Sequence, residues 1–177
     1  MGETFVRWFY HQLNCQNPVM RQRGETSDFG PQHFWENCNF KMMSATPSMS
    51  QESFEGSFLV AQRLSALVQE ELLMFNPNIS EEGVKVQSDP HGLFMVMVCG
   101  TLHQQDNLVG MFKQMFGLAR NPLDQNNWKV KVTELLLRST GGGNQQIVPR
   151  LTDFPANGGG HGDHLNFSLN VNINVQL

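Results

Sequence analysis

The stretch Leu93–Leu137 reads LFMVMVCGTLHQQDNLVGMFKQMFGLARNPLDQNNWKVKVTELLL, and its reading decides the fold. Two long apolar runs flank a short polar break, and a third run starts at Trp128 after a second break. That pattern predicts three long antiparallel strands. Strand side chains alternate between faces, so Phe112, Gln114 and Phe116 share one face with Leu108, Gly110 and Leu118. Trp128, Val130 and Val132 are assigned to the same face on the next strand. Met111, Lys113, Met115, Lys129 and Lys131 are assigned to the opposite face. Bulky apolar side chains around a single amide are what a sheet curved over a core or pocket presents.

Upstream of this block the pattern is helical. Residues 3–14 place Phe5, Phe9 and Leu13 four apart with Val6 and Tyr10 beside them, which predicts an amphipathic helix ended by Asn17-Pro18. Pro31 suits the first position of a short helix over Pro31–Asn37. A strand is expected through Asn39–Ser44, a loop over 45–52, a long helix over Gly56–Phe75, and a strand beginning at Val84. Helices followed by a meander of strands imply an α+β fold with helices packed on one face of an antiparallel sheet. After Arg138 the composition changes. Gly141-Gly142-Gly143 and Gly158-Gly159-Gly160 bracket a polar stretch that reads as a linker. Leu165–Leu177 then alternates apolar residues with Asn, Ser and Gln, the pattern of an added strand or an association-prone tail. The expected organisation is one domain over 1–140 and a tail over 141–177.

Composition narrows the functional classes. The chain has 177 residues, is 40% hydrophobic and carries 13 Phe, enough for a substantial core. Its net charge of −4 argues against nucleic acid or an anionic membrane as partner. No apolar run reaches the ~18 residues of a membrane span. Cys15, Cys38 and Cys99 are an odd number without a CxxC, which fits an intracellular chain in cytoplasm or nucleus.

Gly100-Thr101, the spaced series Gly110, Phe112, Gln114, Phe116 and Leu118, and then Trp128, resemble the strands of the nuclear transport factor 2-like superfamily. The helix from Gly56 through Leu67 looks like the helix that precedes the sheet in that family. The segments GETFVRWF, LNCQNP, FGPQHFW, RLSALVQEELL, DPHGLFMVMVCGTLH and VGMFKQMFGLARNP are similar, in register from Gly2 to Leu137, to the chromosome 3 open reading frame 38 protein family. The resemblance implies a cone, with helices inside a strongly curved antiparallel sheet, and a link to promotion of apoptosis. It does not extend to binding of the GTPase Ran. The transport factor uses several acidic residues, some in a hairpin turn, where this chain has His103-Gln104-Gln105-Asp106-Asn107 with one carboxylate.

Enzymes on this cone fold place an acid or base inside the cavity. Here the residues on the Phe112 face are not titratable. Trp35, Phe112, Gln114, Phe116 and Trp128 are the candidate ligand-binding side chains, with Gln114 read first as a core amide bonded to its surroundings. His33 is either a cavity base or a packing residue, and Trp35 a pocket wall or a plug at the mouth of the cone. Met111, Lys113, Met115, Lys129 and Lys131 form a candidate partner or homodimer face, or a solvated one with lysine stems over methionine. His161 and His164 around Asp163 lack the further ligands of a zinc site. There is no GxSxG, P-loop, HExxH or dinucleotide fingerprint, so neither metal nor cofactor is expected. The expected function is a non-catalytic protein-interaction module. The alternative is a small-molecule binder or lyase/isomerase-type enzyme using the cavity.

Overall fold

The computed structural model describes residues 2–45, 48–140 and 147–154. In chain order these form α1 (Gly2–Asn14), α2 (Pro18–Gln22), β1 (Phe34–Ser44), β2 (Ser50–Glu55), α3 (Ser57–Gln69), β3 (Leu73–Pro77), β4 (Val84–Ser88), β5 (Phe94–Gln104), β6 (Asn107–Asn121) and β7 (Asp124–Ser139). Short 3₁₀ turns at Pro31–His33 and Leu151–Asp153 complete the set. The sheet runs β2-β1-β7-β6-β5-β3, with β4 paired to the first half of β5 and β3 to the second.

The three long strands expected from Leu93–Leu137 are β5, β6 and β7, paired as a meander. Register shifts interrupt the ladders at Leu102/His103, at Gly117/Leu118 and at Arg120/Asn121. Each shift bends the strands and adds twist, which curls the sheet into the expected α+β cone. A Cβ on Gly100 would collide with the Asn76 carbonyl, so the approach of β3 to β5 requires glycine there. The concave face is closed by α1 through Val6, Phe9, Tyr10 and Leu13, and by α3 through Val60, Leu64, Leu67 and Val68. Phe9 meets Phe116 with ring centroids 4.7 Å apart, and Phe75 meets Phe112 at 5.0 Å, both edge to face.

Several expectations from the sequence are corrected. The sheet is mixed, because β1 lies parallel to β7. Reading the chain from one element to the next shows hairpins but not this pairing between distant segments. The short helix over Pro31–Asn37 stops at His33, and Phe34 opens β1 by pairing with Val130. The long helix stops at Gln69, where Leu72 takes φ 60° and reverses the chain. Leu73–Pro77 then pairs with β5, so sheet pairing overrides a helical spacing that continued to Phe75. The expected loop over 45–52 contains the start of β2. Val132 belongs to the convex face. The register moves from Leu118↔Val130 to Gly117↔Val132, so Lys131 is the extra residue of a bulge and alternation restarts after it.

Residues 147–154 lie within the stretch expected to be linker, yet they pack on the convex face. Leu151 and Phe154 are buried there with Met95, Cys99 and Met115, and the Leu151 N–H donates to the Glu82 carbonyl at 2.8 Å. Unlike the glycine runs around them, these residues carry apolar side chains that a methionine face can accept. The triplets Gly141–Gly143 and Gly158–Gly160, the pair His161 and His164, and the alternating Leu165–Leu177 fall outside the described residues.

Candidate functional site at the mouth of the cone

The deepest candidate on the Phe112 face is filled and satisfied. Gln114 is fully buried. Its Oε1 accepts from the Tyr10 hydroxyl at 2.6 Å, and its Nε2 donates to Thr133 Oγ1 at 2.9 Å. The Thr133 hydroxyl donates onward to the Met115 carbonyl at 2.8 Å. Burial, and after it the neighbouring Cys99, pushes the Tyr10 phenol well above its ordinary range, so it stays neutral and donates. Phe112 and Phe116 pack around this chain of hydrogen bonds. These three candidate ligand-binding residues therefore form core rather than a pocket.

An open cleft lies instead at the wide end of the cone, with a volume of about 430 Å³. Helix α1 contributes Thr4, Phe5 and Trp8 from its first two turns. Strands β5, β6 and β7 contribute Phe94, Leu118, Trp128 and Val130, with Asn126 and Asn127 at the rim. Phe94 and Trp128 lie 6.0 Å apart, and the Arg120 guanidinium sits 4.8 Å over the Trp128 ring. His33 is the single titratable side chain in this lining. Its ring stands edge-on to Trp8 at 4.7 Å. Its Nε2 lies 2.7 Å from the Asp28 carbonyl, 3.2 Å from Gln32 Nε2 and 3.5 Å from Asp28 Oδ2, so Asp28 and Gln32 hold the ring in place. His33 thus lines the cleft but does not approach Gln114.

Trp35 is not a wall of this cleft. It lies on the convex face, where its indole N–H donates to the Ala119 carbonyl at 3.3 Å and the Lys131 ammonium stands 5.5 Å from its ring. Among the five candidate ligand-binding residues, Trp128 alone lines the cleft.

The candidate partner face is partly closed by the chain itself. Met115, Lys113 and Lys131 are buried, and Met111 and Lys129 are half-buried. Burial lowers the pKa of Lys113 and of Lys131, offset in part by Cys99 and Cys38 respectively. Lys131 Nζ donates to Asn37 Oδ1 at 2.6 Å. Glu134 is only 2% exposed on the same face, and its Oε1 has no hydrogen-bond partner. Burial raises its carboxyl to about 7 against an opposing pull from Lys41, whose Nζ is 3.9 Å away. Cys99 and Cys38 are also pushed up to about 12 by burial. These thiols are unpaired and poor nucleophiles.

Sequence reasoning missed Phe5, Trp8, Phe94, Asn126 and Asn127 as site residues, because each lies in an element whose pattern reads as packing or turn. It also passed over Glu134. There the signal was present, as a lone carboxylate inside the apolar run VTELLL.

Residues 1–147 match the family described as DUF4518 C-terminal domain. The chain belongs to that family. Over 135 residues the DUF4518 domain is 41% identical to the mouse uncharacterized protein C3orf38 homolog, which covers 76% of this chain and 38% of the mouse protein. The rat homolog is 42% identical over 136 residues, with the same shares covered. The chain therefore spans 38% of the length of these curated relatives. Among solved structures it is similar to the yeast UBP3-associated protein BRE5, with TM-score 0.54, 10% identity, and coverage of 77% of this chain and 93% of that one. It is equally similar to nuclear transport factor 2 from Cryptosporidium parvum, with TM-score 0.54, 16% identity, and coverage of 77% and 91%. These likenesses show the fold, a nuclear transport factor 2-like cone. Among the described residues no helix is long and apolar enough to cross a membrane.

Proposed function

We propose that this DUF4518 domain is a non-catalytic protein-interaction module of the cytoplasm or nucleus, and that the aromatic cleft at the mouth of the cone receives an apolar side chain of a protein partner. The observation that carries this reading is the closed hydrogen-bond chain Tyr10–Gln114–Thr133. It fills the interior of the cone with neutral, mutually satisfied groups, where the family resemblance would place an enzyme's acid or base. The cleft that remains has four aromatic walls and an amide rim. An apolar pocket with a few polar groups at its edge suits an anchoring side chain of a partner. His33 is the one titratable side chain in the lining; its Nε2 is engaged by Asp28, and no second acid or base stands beside it in the cleft. Fold alone decides nothing, because one scaffold serves many functions.

The test places a photoreactive side chain at Asn127, on the rim, or at Gln51, on the distant strand β2, in the full chain expressed in cells. A partner crosslinked from Asn127 but not from Gln51, and lost on Trp128→Ala, supports the reading. The affinity of that partner should fall at least ~30-fold on Trp128→Ala, the ~2 kcal/mol of an aromatic anchor. Equal crosslinking from both positions would sink it. A melting temperature raised by small hydrophobic compounds, with no crosslinked protein, would favour the small-molecule alternative. The apoptotic role implied by the family resemblance belongs to the same proposal. Expression of the Trp128→Ala chain should lose whatever promotion of cell death the native chain produces.

A further inference from the structure

A second constellation lies at the other end of α1, away from the cleft. His11 and Cys15 stand one helical turn apart, and the Cys15 N–H donates to the His11 carbonyl at 3.0 Å, continuing the helix by one residue. Side chains at this spacing share a face. Cys15 Sγ and His11 Nε2 are 3.7 Å apart. Two ligands of a tetrahedral zinc ion, at the usual Zn–S and Zn–N lengths, are separated by roughly 3.5 Å.

The third member arrives by backbone geometry alone. Helix α2 starts with Asn17 as its cap, whose Oδ1 accepts from the Val19 N–H at 3.0 Å, and with Pro18 in the first turn. It ends in a Schellman motif. Gly24, at φ +82°, donates to the Arg21 carbonyl at 3.0 Å, and Glu25 donates to the Met20 carbonyl at 3.2 Å. That left-handed turn folds Glu25 back over the end of α1. Asn17 also ties the unit to α3 through the Val68 carbonyl at 3.4 Å. The caps fix the place of Glu25 without help from His11 or Cys15. The potential ligand atoms of His11, Cys15 and Glu25 all lie within 4.8 Å of one another.

We propose that His11 Nε2, Cys15 Sγ and the Glu25 carboxylate form a binding site for a divalent, borderline-soft cation of the zinc class, with a fourth position left to water or to a ligand from a partner. The donor set decides the class. One imidazole, one thiolate and one carboxylate suit zinc, whereas magnesium and calcium prefer oxygen alone. On binding, Cys15 would lose its proton to solvent, and the thiolate and carboxylate together would neutralise the charge of the dication.

The experiment titrates the full, reduced chain with Co²⁺ and then Zn²⁺. A single equivalent of Co²⁺ should produce thiolate-to-cobalt absorption in the near ultraviolet, and Zn²⁺ should remove it. Cys15→Ala should abolish the absorption. His11→Ala and Glu25→Gln should each weaken Zn²⁺ binding at least about tenfold in competition with a chromophoric chelator, the low end of what even an outer-sphere partner is worth. The double variant His161→Ala/His164→Ala should leave the absorption intact, which separates this site from the histidines of the tail. Glu25 and His11 are exposed, so their variants remain informative even if Cys15→Ala fails to fold. Absence of the absorption in the native chain, its persistence in folded Cys15→Ala, or unchanged Zn²⁺ affinity in Glu25→Gln overturns the site.

Discussion

The two faces of the long strands are made from the same residues in alternation, yet they handle polar groups in opposite ways. On the concave face Gln114 meets Tyr10 on one side and Thr133 on the other, and each polar atom in the chain has a partner. On the convex face Glu134 is as deeply buried, but one of its oxygens is orphaned and its nearest cation stands at 3.9 Å. Lys131, a neighbour on that face, escapes the same difficulty because its stem is long enough to bring the ammonium to Asn37. A short carboxylate has no such reach. The concave face is thus built to stay closed. The convex face retains an incompletely satisfied carboxylate beneath methionines.

The comparison breaks most visibly at Phe112. Truncation to alanine opens a void between Tyr10 and Phe75 and should cost about 3–5 kcal/mol, read as a lowered urea midpoint with an unchanged m-value. The next effect belongs to Glu134. Its folded pKa of about 7 lies above its ordinary value of 4.5, so the folded state holds the proton more tightly than the unfolded chain. Both states are protonated below pH 4.5, and no penalty arises there. As pH rises from 4.5 through 7 the unfolded chain ionises first, so stability falls by up to about 3 kcal/mol and stays reduced above that range. Urea midpoints of the native chain and Glu134→Gln between pH 4.5 and 8 should diverge accordingly. Parallel profiles would show that the carboxylate is solvated. Tyr10→Phe comes third. It leaves Gln114 Oε1 buried without a donor and should cost about 1–3 kcal/mol, while Tyr10→Phe combined with Gln114→Leu should recover part of that loss.

How much of this was legible in the sequence follows from which interactions are local. The concave face could be read because Phe112, Gln114 and Phe116 obey a two-residue period along one strand. The assignment failed at Val132, since a bulge at Lys131 is a property of two strands in register and leaves no mark on either one alone. The cleft could not be assembled from pattern, because Trp8, His33, Phe94 and Trp128 come from four segments brought together by the curvature of the sheet. Trp35 was misplaced for a related reason. A proline before an aromatic pair reads as a helix start, and only pairing with β7 turns that segment into a strand and sends the indole to the convex side. The His11–Cys15 spacing stands in the sequence but was not singled out there, where no metal is expected. The return of Glu25 depends on a glycine whose left-handed conformation becomes evident only with the hydrogen bonds around it.

The smallest expected effect sharpens the contrast within the convex face. Lys131 is 5% exposed, yet Lys131→Met should change stability by less than about 1 kcal/mol in either direction. The substitution removes a charged hydrogen bond to Asn37 and the approach to Trp35. It also removes the cost of burying an ammonium, and burial has already pulled that lysine's pKa down. Asn37 is exposed, so its freed carboxamide oxygen returns to water rather than becoming an orphan. Glu134→Met offers no such symmetry, because the native carboxylate loses only the approach of the half-exposed Lys41 ammonium at 3.9 Å, and the apolar replacement should stabilise the protein at pH 8. Chemical denaturation of both variants at pH 8 decides the matter. A near-neutral lysine and a stabilising glutamate substitution would locate the strain in one short side chain, whereas equal losses would mean that the two groups are held by one network.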